Sequence, residues 1–394
     1  MPNSFVSGAA VLFALLAQTS VAAPYIPAKG SDVVERLPRR SDPAQQELQR
    51  LRAQLASNPN NVEVASAVAR KHIATARIET DPRYLGYAQA ALAPWWAMPA
   101  PPLEVRLLRA TLLQSTHHFP EAMRDLDAVV AADPDNPQAW LTRATVQTVR
   151  GEYDAATKSC ARLSSLTTQL VSSTCIAGIG AMTGRSKSSE ALLEMTLRRE
   201  AEADPEMTVW VLTLMAEMAE RRGEAALAEE RYKRALALSP RDSYLIGAYS
   251  DFLLDQKRAA EVLALTRDHT RIDGLLLRHA LALQQTPGAN AKLREADAEL
   301  KARFNAAMRR GDTVHQREQA RYELHLHGDH KTALALAQKN WAVQKESADM
   351  RVLLEAALKA RDKVAAAPVI NWIAASKVED VAVQRLAASI KALA

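Results

Sequence analysis

The sequence predicts an all-α protein, a solenoid in which antiparallel helix pairs stack one after another. Three observations carry that prediction. Of 394 residues, 48% are hydrophobic and 24% charged but only 5% aromatic. Alanine is abundant, and small side chains let helices approach closely, whereas sheets draw on β-branched and aromatic residues. Small residues also recur at a fixed phase. Ala122, Ala156, Ala191 and Ala228 are spaced by 34, 35 and 37 residues, and Ala110 and Ala144 by 34. A period of that length marks a repeat array of helix pairs. Lastly, no segment reads as a strand.

Taken in order, residues 1–22 read as a secretory signal. Val11 to Ala17 form the apolar core, and Ser20-Val21-Ala22 gives a small-x-small cleavage site. Met1 to Ser4 carry no Lys or Arg. No Cys follows the apolar core, so a lipid anchor is not expected, and the mature chain contains no span. The protein is expected to be exported, and periplasmic if the source is Gram-negative. Residues 23–43 form a proline-containing extended lead-in, and residues 44–101 form N-terminal helices ending in the proline-rich loop around Trp95 and Trp96. That pair either anchors a partner or plugs the end of the core.

The clearest repeats lie in residues 102–240. In the unit from Glu206 to Pro240, Leu212, Ala216 and Ala219 share one helix face. Gly223 supplies a left-handed C-terminal position. Ala228, Tyr232 and Ala235 mark the second helix, and Pro240 ends the unit. The unit 136–166 carries Trp140, Ala144, Gly151, Tyr153 and Ala156, while an earlier one has His117 where the others have glycine. Between these, the unit 170–205 has Gly184 and Ala191, which implies two extra residues in its turn. Residues 241–377 keep the helix-pair rhythm in degenerate form, and residues 378–394 are expected to be a solvent-facing capping helix.

This pattern resembles the tetratricopeptide repeat (TPR) family, in its exported bacterial form. The resemblance implies a right-handed superhelix whose concave face is lined by the first helix of each pair. It further implies which side chains face that groove. In the unit with Gly151 these are Gln138, Leu141, Thr145 and Thr148. In the unit with Gly223 they are Trp210, Thr213, Glu217 and Glu220. Taking Ala248 as the small position adds Leu245, Tyr249 and Phe252. Counting from Gly328 adds His315, Glu318, Tyr322 and His325, which share one helix face. TPR packing would also place Cys160 and Cys175 on adjacent helices. An oxidising compartment favours a disulfide between them over two buried thiols.

The functional classes narrow accordingly. A net charge of +5 over this length, without a basic stripe, argues against nucleic acid as partner. No phosphate loop, G-x-S-x-G, H-E-x-x-H or C-x-x-C stands in the sequence, so no enzyme and no cofactor are expected. The expected function is a scaffold or adaptor holding a partner protein or extended peptide in its groove, during envelope assembly, export or maturation. The alternative is a small-ligand or metal-handling protein that uses the His315–His330 region. His325, His327 and His330 are its candidate ligands, although their spacing matches no known metal motif. The sequence leaves oligomeric state open.

Overall fold

A computed structural model describes Lys29 and residues 43–200, 202–311 and 316–393. The expected signal and nearly all of the lead-in lie outside the described residues. The chain divides into two compact units, Met1–Gln49 and Arg50–Ala394. Of the first, only Lys29 and the opening of helix α1 (Pro43–Ser57) are described.

Every regular element among the described residues is helical. After α1 come α2 (Val62–Glu79), α3 (Arg83–Ala91) and α4 (Ala93–Trp96), the last a single turn in the proline-rich stretch that buries Trp95. Then follow the pairs α5 (Leu103–Ser115) with α6 (Phe119–Ala132), α7 (Pro137–Val149) with α8 (Tyr153–Leu163), α9 (Gln169–Met182) with α10 (Ser186–Arg199), and α11 (Pro205–Arg221) with α12 (Ala225–Leu238). The degenerate region continues with α13 (Ser243–Asp255) and α14 (Ala259–Thr266), then α15 (Asp273–Gln284) and α16 (Asn290–Arg309). Next come α17 (Gln316–Tyr322), which runs into a π turn (Glu323–His327), with α18 (His330–Val343), and α19 (Ser347–Ala360) with α20 (Lys363–Ser376). Helix α21 (Val381–Lys391) closes the chain.

The turn inside each pair sets the repeat. A residue with positive φ ends the first helix at His117, Gly151, Gly184, Gly223 and Lys257, at intervals of 34, 33, 39 and 34 residues, and again at Gly328 and Arg361. At each, the next amide reaches back to a carbonyl of the last helical turn, as His118 N to Leu113 O (2.8 Å) and Arg258 N to Leu253 O (2.9 Å). Five residues after each left-handed residue comes a fully buried or nearly buried position: Ala122, Ala156, Ser189, Ala228, Val262, Ala333 and Ala366. Seven residues before it lies another, such as Ala110, Ala144, Ala177, Ala216 and Ser250.

This rule corrects two expectations. In the unit with Gly184 the turn has no extra residues. Ser189, not Ala191, takes the close-packing position, its hydroxyl lying against Gly180, and Ala191 is exposed. The additional length falls between α10 and α11 and in α11 itself. In α13 the small position is Ser250, not Ala248, because Lys257 does the work of the turn glycine.

Within residues 50–394 the array coils until distant pairs meet. Lys345 N donates to Val149 O (2.8 Å), and Trp372 of α20 packs on Tyr153 and on the open Cα of Gly151. Ser186 N donates to Glu379 (2.7 Å), and Val381 lies against Gly223. Helix α21 therefore does more than screen the end of the array, since its entry segment covers the turns of α9–α10 and α11–α12. On the other side Thr80 donates to Ser243 (2.6 Å), and Arg271 donates to the carbonyl of Glu79 (2.6 Å).

Candidate concave binding face

The first helix of each pair presents one row of side chains, six residues before the left-handed turn. In α7 that residue is Thr145, in α11 Glu217, in α13 Asp251 and in α19 Glu355. In α17 the π turn inserts one residue before Gly328, so the small buried position is Ala320 rather than residue 321. The row residue there is Arg321, and Arg317 stands one turn earlier.

Glu318 and Tyr322 are thereby displaced from the row. Tyr322 is buried against Phe304 and donates its hydroxyl to Asp297 (2.9 Å). Glu318 turns beside Arg317 (3.4 Å). Tyr249 is displaced in α13 for a different reason, because the left-handed turn residue is Lys257 and the small position is Ser250. It stacks between Tyr232 and Phe252, and its hydroxyl, donated to Glu229 (3.3 Å), is pushed up to about 12 in pKa by burial and by the Glu229 charge. Leu245 and Phe252 join it in the core. His315 lies outside the described residues.

The correct row in the second half of the array is an ion-pair ladder. Asp251 accepts from Arg278 (2.5 Å) and from Arg321 (2.8 Å). Burial raises the pKa of Asp251, but the two guanidiniums overcome this and hold it well below the usual carboxylate range. Arg351 bridges Asp255 (2.5 Å) and Glu355 (2.8 Å), and Glu355 also meets His325 Nε2 at 3.0 Å. Burial works against ionising Glu355, yet His325 and Arg351 bring its pKa down to about 2. Arg317 reaches Glu346 (2.9 Å) and buried Asp349 (3.3 Å). Sequence reasoning missed Asp251, Arg278, Arg317, Arg321 and Arg351. The only signals for them are a lysine in place of a turn glycine and a one-residue insertion.

Glu217 and Glu220 of α11 stand at the edge of this ladder with weaker partners. Tyr244 donates to Glu217 (2.7 Å), while Arg221 stays 3.9 Å away. Tyr232 donates to Glu220 (2.7 Å). Burial raises the pKa of both acids, to about 8 for Glu220, where the charges of Glu217, Asp255 and Asp251 add to the effect. Tyr244 is 64% exposed, yet the Glu217 charge and then poor hydration raise its pKa.

The first half of the face is different. Gln138 and Thr145 are exposed, Gln138 bonding Thr142 (3.0 Å) and Thr145 its own helix. A hollow of about 840 Å³ opens between the entry ends of α7, α9 and α11, lined by Leu141, Val171, Met207 and Trp210, with Arg77 of α2 opposite. Trp210 is 41% exposed. An indole this open beside other apolar groups is what a docking surface presents.

The three histidines proposed as metal ligands separate. His325 faces Glu355, His327 Nε2 meets Asp297 (2.8 Å), and His330 borders a hollow beside the α19–α20 turn. Among the described residues no three His, Cys, Asp or Glu side chains are grouped to hold a metal. Cys160 and Cys175 form a disulfide that ties α8 to α9, with Cα atoms 5.6 Å apart. No helix among the described residues is long and apolar enough to cross a membrane.

No protein-family profile matches the chain, and no curated protein matches it in sequence. Solved structures do share its helical course. A tetratricopeptide repeat protein from Parabacteroides merdae is 14% identical, with 73% of this chain and 98% of that one covered and a TM-score of 0.38. A chain of the APC/C Cut9–Hcn1 hetero-tetramer is 11% identical, covering 88% and 52%, with a TM-score of 0.41. Human IFIT1 bound to m7Gppp-AAAA is 14% identical, covering 89% and 86%, with a TM-score of 0.40. The fold is TPR-like. Its own helix-pair period, its left-handed turns and the buried small residues on either side of them carry that description.

Proposed function

We propose that this TPR-like array is a non-catalytic scaffold that binds an extended peptide of a partner protein on the first half of its concave face. One observation carries the reading: the hollow at Trp210 is open and apolar, while the second half of the same face is filled by the chain's own ion pairs. The ionisable groups that could suggest catalysis, Asp251, Glu355 and His325 among them, are committed to those pairs. Dispersal of His325, His327 and His330 removes support from the metal-handling alternative. In this reading the protein is exported and serves assembly, export or maturation of an envelope component. The sequence of residues 1–22 supports export, and the Cys160–Cys175 bridge suits an oxidising compartment.

Site-specific photocrosslinking in native extract tests the assignment. A crosslinking residue at Trp210 or Gln138 should give discrete protein adducts, and one at exposed Lys158 on α8 should not. Equal labelling from both faces, or none from the concave one, sinks it.

A further inference from the structure

We infer that the peptide this face accepts is cationic, with a large apolar side chain in the Trp210 hollow and a lysine or arginine three positions away against Glu217. The inference rests on the scaffold reading above and adds the ligand's chemistry to it.

Charges around the mouth of the hollow nearly cancel. Asp204 caps α11 through the Glu206 amide (2.8 Å), and Glu200 accepts from Leu170 N (2.9 Å), so both face helix amides. Glu202 and Glu206 then stand against Arg77 and Arg199. The mouth selects for an apolar group and little else.

The imbalance lies deeper. Trp210 and Glu217 are seven residues apart on α11, so they share a face about 10 Å apart along the axis. The exposed ring of Tyr244 lies at the inner end of that span, its hydroxyl donating to Glu217. Around Glu217 stand Glu346, Arg221 and Arg317, and around the neighbouring Glu220 stand Asp251 and Asp255. Asp251 and Asp255 are answered by Arg278, Arg321 and Arg351, and Glu346 by Arg317. Glu220 is held protonated and adds little charge, so Glu217 remains with the Tyr244 hydroxyl and a guanidinium, Arg221, no nearer than 3.9 Å. Glu217 is thus a carboxylate without a close guanidinium, reached beside the exposed ring of Tyr244. A ligand cation there supplies the charge that the chain does not.

The spacing follows from strand geometry. An extended peptide advances about 3.3 Å per residue, so 10 Å is three residues. The reach of a lysine or arginine side chain extends the window to two to four.

A random decapeptide library displayed against the full chain tests this. Enriched peptides should pair a large apolar residue with Lys or Arg two to four positions away. Binding should fall at least tenfold with Trp210→Ala. Glu217→Gln should weaken the basic peptides about tenfold and leave their Lys→Gln analogues unchanged. Circular dichroism melts confirm that both variants fold. Enrichment of neutral or acidic peptides that still need Trp210 overturns the cationic ligand and leaves the scaffold standing. Tight binding of a single-stranded RNA oligonucleotide that Trp210→Ala abolishes overturns it in favour of another class of partner. No enrichment of any peptide removes both readings.

Discussion

Glu220 should make the fold less stable as pH rises, and replacing it with glutamine should remove that loss. Burial and the neighbouring carboxylates hold its pKa at about 8, against 4.5 for an ordinary glutamate. The folded state therefore keeps a proton that the unfolded chain has released. Stability is highest at or below pH 4.5, falls as pH climbs towards 8, and levels off above it. Three and a half decades of proton affinity at 1.36 kcal/mol each give about 5 kcal/mol as a ceiling. Glu220 is half-buried rather than sealed from water, and that screening brings the expected figure to about 3 kcal/mol. Glu220→Gln keeps an acceptor for the Tyr232 hydroxyl and cannot ionise. It should match wild type at pH 5 and melt higher at pH 9 by about 5 °C, taking the lower end of the usual conversion for a chain this long. Thermal melts followed by circular dichroism at both pH values measure this, with Glu206→Gln on the exposed rim as control. Parallel melting of wild type and Glu220→Gln from pH 5 to 9 would refute the buried-acid argument.

Three further perturbations test the architecture. Glu190 receives both Arg222 and Arg231, the latter 2% exposed, so Glu190→Ala should cost about 1–3 kcal/mol by removing the carboxylate the two share, leaving Arg222 with Glu224 and Arg231 with Glu194, as urea denaturation would show. Gly151→Ala should cost about 2–4 kcal/mol, because φ is +78° and a Cβ would stand 2.7 Å from Trp372 Cη2; adding Trp372→Ala should relieve the clash but not the backbone strain, which a double-mutant cycle separates. Reducing the Cys160–Cys175 bridge, whose partners are 15 residues apart, should lower stability by about 3 kcal/mol, read as a drop in melting temperature with dithiothreitol that a Cys160→Ser/Cys175→Ser variant does not show.

Helix pairs were legible because each must bury an apolar stripe against its neighbours, and the small residues that permit close approach recur on a visible period. Register was legible only where glycine marks the left-handed turn. His117, Lys257 and Arg361 adopt the same conformation without announcing it. The cost of placing them there is about 1 kcal/mol each, within reach of the packing that surrounds them. Ala248 was thus mistaken for the small position that Ser250 holds, and the error carried Tyr249 from the core to the groove. At Gly328 the glycine was right and the count was wrong, because a π turn adds a residue that no local composition signals. That shift exchanged Arg317 and Arg321 for Glu318 and Tyr322. Trp210 and Glu217 keep their expected spacing from the turn because Gly223 fixes their count and α11 is regular throughout.

The two halves of the concave face differ for a reason that no single repeat contains. Thr145 in α7 and Gly178 in α9 occupy the same row as Glu217, Asp251, Arg321 and Glu355 in later pairs. In the second half the array brings α11, α13, α17 and α19 around one recess, where isolated charges would be costly to bury. Asp251 with two arginines, and Arg351 with Asp255 and Glu355, meet that cost by pairing across successive helices. A peptide entering there would have to break pairs before making its own. In the first half the row is small and neutral, nothing must be broken, and apolar surface stays open at Leu141, Val171 and Trp210. Binding therefore belongs where the self-pairing stops, at the junction on α11 that carries Trp210 at its open end and the under-neutralised Glu217 two turns further in.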